Sequence, residues 1–116
     1  MGIDLTAEQA LRLWHDVGLG QILERRPDLT TRQMTILLTV YLEPPPHTVR
    51  GLAGRLAVTK PVITRALDSM GRIGLVRRRR DEQDRRNVFV QRTVEGSLFL
   101  ESFCDLVRRK AAELTR

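Results

Sequence analysis

Cysteine is nearly absent from this chain. Cys104 is the only one among 116 residues, so no disulfide can form within it. Aromatic residues are scarce too: Trp14, Tyr41, Phe89, Phe99 and Phe103 are all there are. A core must therefore be built from Leu, Val, Ile and Ala, too few aromatics are left for a large aromatic ligand cage, and at this length a core is buried without staples. No apolar run approaches the roughly 18 residues that a membrane span needs. The two histidines, His15 and His47, have no companion at metal-ligand spacing. Glycine-rich phosphate loops and nucleophile motifs are missing, and Ser69, Ser97 and Ser102 have no base beside them. These absences argue against an enzyme, a metal site or a bound cofactor. With no signal-like start, the chain is expected to be cytoplasmic, with no membrane partner.

What the sequence has is positive charge in one place. The net charge is +6, but residues 47–92 hold twelve basic and four acidic side chains, a local charge of +8, against −2 for the remainder. The concentration peaks in "GLVRRRRDEQDRRNVFV", residues 74–90, where six arginines and three acids lie between β-forming runs. A localised basic surface inside ordered structure is a footprint for a polyanion. The bland alternative is a solvated arginine-rich face.

Hydrophobic periodicity gives the element order helix, helix, helix–turn–helix, hairpin, helix. The first helix is predicted in "DLTAEQALRLWHDVG", capped by Asp4 or Thr6, with Ala7, Ala10, Leu11, Trp14 and Val17 sharing a face. Gly18 and Gly20 are expected to weaken its continuation into "QILERRP". A second helix starts at a Thr30/Gln33 capping box, buries Met34, Leu37, Leu38, Tyr41 and Leu42, and stops at Pro44 to Pro46. Thr48 caps a short helix whose inner face is Val49, Leu52, Ala53 and Leu56. After a turn at Ala57 and Val58, Thr59 caps another, with Pro61 in its first turn, Ile63, Ala66, Leu67 and Met70 inside, and Gly74 as its stop. "LVRRRR" and "NVFVQR" form a hairpin around "DEQDRR". The last helix carries Leu98, Leu100, Phe103, Leu106, Val107 and Leu114.

A helix of this kind fits the major groove of duplex DNA, where side chains near its N-terminus reach base edges. Its outer face offers Lys60, Pro61, Val62, Thr64, Arg65 and Ser69. Arg65 suits guanine or phosphate, Thr64 a phosphate oxygen, and Val62 a thymine methyl. Ordinary packed helices make similar hairpins, so this signal has moderate specificity.

"LTTRQMTILL", "TVRGLAGRLAVTKPVITRALDSMGRIGLVRR" and "RRDEQDRRNVFVQRTVEG" together resemble the MarR family of winged helix–turn–helix regulators, over residues 29–96. The family's wing commonly reads D-P-x-D-R-R; here Glu82 stands in place of the proline. The resemblance implies a mainly α fold with a small β-hairpin wing. It implies one winged helix–turn–helix domain over 1–116, with dimerisation helices at 1–28 and 94–116 and a DNA-binding lobe at 29–93. It implies a homodimeric regulator of pseudo-palindromic double-stranded DNA, acting as a repressor, with recognition helix 59–72 in the major groove and wing 77–90 in the minor groove. Thr48, Arg50, Lys60, Pro61, Val62, Thr64, Arg65, Ser69, Arg85 and Arg86 are the expected DNA contacts. Arg86 would enter the minor groove, oriented by Asp84, while Asp81 and Asp84 brace the wing, and Arg85 and some of Arg77 to Arg80 would meet phosphates or brace the wing. Leu11, Trp14, Leu98, Phe103, Leu106 and Val107 are the expected dimer contacts, the alternative being end helices that cover each other within one chain.

The chain is shorter than is usual for the family, mainly in its terminal helices. A small-molecule effector is left open, with Trp14, Tyr41, His15 and Arg55 as candidates for its pocket. Cys104 is expected to be a buried structural thiol rather than a redox sensor. Two other functions remain in play: a winged-helix protein-interaction module, and a nonspecific nucleoid-type DNA binder. An interaction module would put apolar residues on the outer face of the second helix of the pair; a nonspecific binder would keep phosphate contacts without discrimination.

Overall fold

The computed structural model describes residues 2–114; the expected segments 1–28 and 94–116 extend beyond it at residues 1, 115 and 116. The described residues form α1 (Ala7–Leu23), α2 (Thr31–Leu42), β1 (His47–Thr48), α3 (Val49–Leu56), α4 (Lys60–Arg72), β2 (Val76–Arg80), β3 (Val88–Arg92) and α5 (Val94–Ala112). This is a winged-helix arrangement, mostly helical, with a three-stranded antiparallel sheet in the order β1-β3-β2. Two compact units are separable. One takes the chain up to Asp28 and again from Leu100; the other runs Leu29–Phe99.

In the first unit, Thr6 caps α1 through a reciprocal box with Gln9. The helix does not falter at Gly18 or Gly20, as its glycines led us to expect. A Cβ at Gly20 would lie 2.7 Å from Leu106 Cδ1, so the bare backbone makes room for a side chain of α5. Tertiary packing outweighs the helix penalty of glycine, about 1 kcal/mol. Leu106 is completely buried by this packing. Arg26 adds a polar tie, donating from Nη2 to Ser102 Oγ at 2.7 Å and to Glu24 Oε1 at 2.9 Å. Cys104 is exposed, contrary to expectation. It lies two residues before Leu106, about 200° around the helix and so on the opposite side.

In the second unit, the Thr30/Gln33 capping box forms. The buried stripe of α2 is rotated from the expected one: Ile36, Leu37 and Val40 are fully enclosed, Met34, Leu38 and Tyr41 are half-buried, and Leu42 is exposed. A dense apolar helix offers more than one face, and the tertiary partners choose among them. Ile63, Ala66, Leu67 and Met70 of α4 meet Val49, Leu52 and Ala53 of α3 in the same core. Each large aliphatic side chain buried this way contributes roughly 1.5–3 kcal/mol.

The tight turn between α3 and α4 rests on Ala57, whose φ of 56° is left-handed. Gly74, at φ +78°, turns the chain from α4 into β2. Tyr41 fixes the far end of the hairpin. Its hydroxyl accepts from Thr93 N at 2.9 Å and lies 3.1 Å from the carbonyl oxygens of Leu75 and Thr93. Gly96 packs directly under that hydroxyl, leaving no space for a side chain.

Candidate nucleic-acid interface

The HTH pair presents its polar face because its apolar face is spent. With Ile63, Ala66, Leu67 and Met70 inside, Lys60, Pro61 and Arg65 are exposed and Val62, Thr64 and Ser69 half-buried. Ser69 Oγ donates to Arg65 O at 3.4 Å. Thr48 caps α3, accepting from Gly51 N at 2.9 Å, which leaves Arg50 exposed in the first turn. Thr59 occupies the cap position of α4, but its side chain makes no capping hydrogen bond, a departure from expectation. Pro61 needs no such acceptor, so one of the donors a cap serves is missing.

The wing supplies the other wall. β2 pairs with β3 from Val76↔Arg92 to Arg80↔Val88. Side chains alternate along a strand, so the four arginines divide into two faces. Arg78 donates from Nη2 to Asp68 of α4 at 2.7 Å. Arg80 donates from Nη1 to Arg85 O at 2.7 Å and supports the tip.

The acids at the tip are structural. Asp81 accepts from Gln83 N at 2.9 Å and from Asn87 Nδ2 at 3.3 Å. Those two bonds, the first foremost, hold its carboxyl below the usual aspartate range. Asp84 Oδ1 accepts from Arg86 N at 3.1 Å and from Arg86 Nε at 3.2 Å. The Arg86 side chain is nevertheless 84% exposed, so its guanidinium is held at one nitrogen and presented to solvent.

These elements converge on one cleft of about 500 Å³, lined by Val49, Arg50, Lys60, Thr64, Arg78, Arg80, Arg86 and Val88. Five of those eight residues are cations and none is a carboxylate. Of the expected DNA contacts, Arg50, Lys60, Thr64 and Arg86 line it; Thr48, Pro61, Val62, Arg65, Ser69 and Arg85 do not. The sequence pointed to some of Arg77 to Arg80 without distinguishing them, and Arg78 and Arg80 are the two that line this cleft. Period-two alternation in β2 is the signal that sorts them from Arg77 and Arg79.

The family comparison matches this architecture: the sequence model of the MarR family fits residues 29–88, just over half the chain. The chain belongs to the MarR family. The HTH-type transcriptional repressor YetL of Bacillus subtilis is 44% identical over 52 residues, 45% of this chain and 31% of that protein. The match thus spans less than a third of the curated relative's length. Among solved structures, the transcriptional regulator Tm0710 from Thermotoga maritima has 27% identity and a TM-score of 0.68, over 88% of this chain and 72% of that one. A MarR mutant from E. coli in complex with operator DNA superposes with a TM-score of 0.66 at 24% identity, over 91% of this chain and 70% of that one. At that identity the MarR likeness speaks to fold alone.

Three of the four effector-pocket candidates are already engaged within the chain. The Tyr41 hydroxyl is held by the backbone of residues 75 and 93, Arg55 pairs in two-pronged fashion with Glu43 at 2.6 and 2.7 Å, and His15 Nδ1 lies 2.9 Å from Asp16. Among the described residues, no helix is long and apolar enough to cross a membrane.

Proposed function

We propose that this MarR-family chain is a cytoplasmic, homodimeric repressor of near-palindromic duplex operators. α4 enters the major groove and the wing reaches the flanking minor groove. The observation that carries this reading is the cleft where Arg50, Lys60, Thr64, Arg78, Arg80 and Arg86 meet with no carboxylate in its lining. Cations on three elements suit a phosphate backbone, which positions the protein, while α4 offers Arg65 and Thr64 to base edges. The exposed Arg86, tied to Asp84 at Nε, loses less freedom on insertion than an untethered arginine, and a narrow groove favours it.

Dimerisation is supported by exposed apolar side chains on α1 and α5. Trp14 is 82% exposed, Leu11 74% and Leu98 60%, and Phe103 and Val107 are half-buried. Apolar exposure of this extent asks for a partner surface. Leu106 is withdrawn from the expected set, because it is fully buried within its own chain against Gly20. YetL is itself a transcriptional repressor, which favours repression as the sign here.

Selection from a random duplex pool at about 150 mM salt tests the proposal. The expected result is a palindrome with half-sites roughly 10 bp apart. Salt-sensitive binding to every duplex without enrichment would replace it with a nonspecific binder, and no binding with a protein-interaction module.

A further inference from the structure

The sheet has a second basic face that the proposed DNA interface does not use. Arg77 and Arg79 alternate with Arg78 and Arg80, so they project from the side of the sheet opposite the Asp68 contact. There they border a cleft of about 480 Å³, within the usual range for small-ligand sites, floored by Phe89, Pro45 and Pro46, with the buried Val40 and Val90 at its border. His47, Gln91 and Arg92 complete its lining, which contains no carboxylate.

The three guanidinium groups differ in what they have left to give. Arg92 is fixed, donating from Nε to Val40 O at 2.9 Å and from Nη2 to Glu43 O at 3.2 Å, with its cation over the Tyr41 ring. Arg79 lies over the Phe89 ring, 5.0 Å from its centre, and is near enough to Asp81 to help hold that carboxyl ionised. The Arg77 guanidinium has no hydrogen bond or ion pair among the described residues, and neither does the side-chain amide of Gln91 opposite it. Residues two apart on a strand are spaced by about 6.6 Å. Two arginine forks at that spacing, with a third fixed beside them, match a multiply charged oxyanion better than a single carboxylate. The apolar floor calls for a flat, uncharged body attached to that anion. Gln91 offers both a donor and an acceptor to the edge of such a body.

We propose that this cleft binds a nucleoside phosphate, its base against Phe89 and the two prolines and its phosphates on Arg77 and Arg79. The inference does not rest on the DNA reading, because none of these residues lines the other cleft. The same chemistry occurs in free nucleotides and in nucleic-acid strands; the apolar floor and bounded volume favour the free form.

Fluorescence anisotropy of dye-labelled ADP on the whole chain tests this, with unlabelled ADP, pyrophosphate and a short blunt duplex as competitors. Saturable binding is expected, weakened about tenfold in Arg77→Ala by loss of a charge-assisted contact. Arg77 is exposed, so its variant should melt with the wild type. Phe89→Leu should narrow the preference for ADP over pyrophosphate, and Arg65→Ala should leave binding unchanged. No saturation up to roughly 1 mM overturns the proposal, as does an Arg77→Ala variant that binds like wild type. Pyrophosphate competing as well as ADP overturns the nucleoside part. A duplex that displaces ADP from wild type and Arg86→Ala alike overturns the free-ligand assignment and makes this face a second DNA contact.

Discussion

Arg78 of β2 reaches across to Asp68 of α4, Nη2 to Oδ1, at 2.7 Å. The proposed minor-groove element is thereby tied to the proposed major-groove element by one ion pair. Both side chains are over a third exposed or close to it, so the pair contributes little to folding, of order 0–1 kcal/mol. Its effect should appear on DNA. Asp68→Ala releases Arg78 as an additional phosphate ligand. The plot of log affinity against log salt should steepen by about one unit, and discrimination between operator and random duplex should fall. An unaltered slope would mean that Arg78 stays out of reach of phosphate even when released.

Asp84 is expected to act only through Arg86. Arg86→Ala should weaken operator binding about tenfold or more, and Asp84→Ala by less. The double variant should fall close to Arg86→Ala alone, because the Nε bond is lost with the arginine and only the bond from Arg86 N to Asp84 Oδ1 is left for the second substitution to remove. Anisotropy titrations of the four proteins supply the cycle, and additive losses would give Asp84 an independent role.

Of the glycines in the Leu29–Phe99 unit, Gly96, packed under Tyr41, leaves the least room for a side chain. Gly96→Ala places a methyl group against the Tyr41 hydroxyl and Leu75 O, one side chain and one backbone atom, so relief requires the chain to move. A loss of about 1–3 kcal/mol is expected from denaturant unfolding. Tyr41→Phe should also destabilise, since Thr93 N loses its acceptor, by about 1–3 kcal/mol.

Acid should weaken the fold through three carboxylates. Arg26 and Arg109 lower the Glu24 pKa, Arg55 lowers that of Glu43, and the wing-tip donors lower that of Asp81. A carboxylate depressed in the folded state stabilises it above its ordinary value, near 4.5 for glutamate and 3.8 for aspartate, and that contribution disappears as pH falls through the lower folded value. Urea midpoints should therefore decline below about pH 4.5, and Glu43→Gln should flatten part of the decline. All three groups are at the surface, so high salt should shrink the effect.

Much of this was readable from residue pattern. The capping boxes at Thr6 and Thr30, the inner face of α4 and the hairpin each depend on neighbours close in sequence. What escaped depended on distant partners. Nothing near Gly20 announces Leu106, 86 positions later, so its place in α1 looked like a weakness. α2 carries apolar side chains on more than one side, and only its neighbours decide that Ile36 goes in and Leu42 stays out. β1 is two residues long and pairs His47 with Val90, a bridge too short for any periodicity to signal. In the candidate site, the arginine run was visible, but its division between faces required the β2 register.

That register has a further consequence. Four identical residues in a row make the charge pattern of β2 indifferent to sliding by one position: an arginine replaces an arginine, and both clefts keep much of their lining. Chemistry alone would thus permit slippage, which a mixed strand would forbid. The frame is instead clamped by Val76 and Val90 in the core and, across the tip, by the Asp81 N to Asn87 O bond. Substitutions at Val76 or Asn87 would therefore be felt as a loss of phase in the strand, although neither residue carries charge.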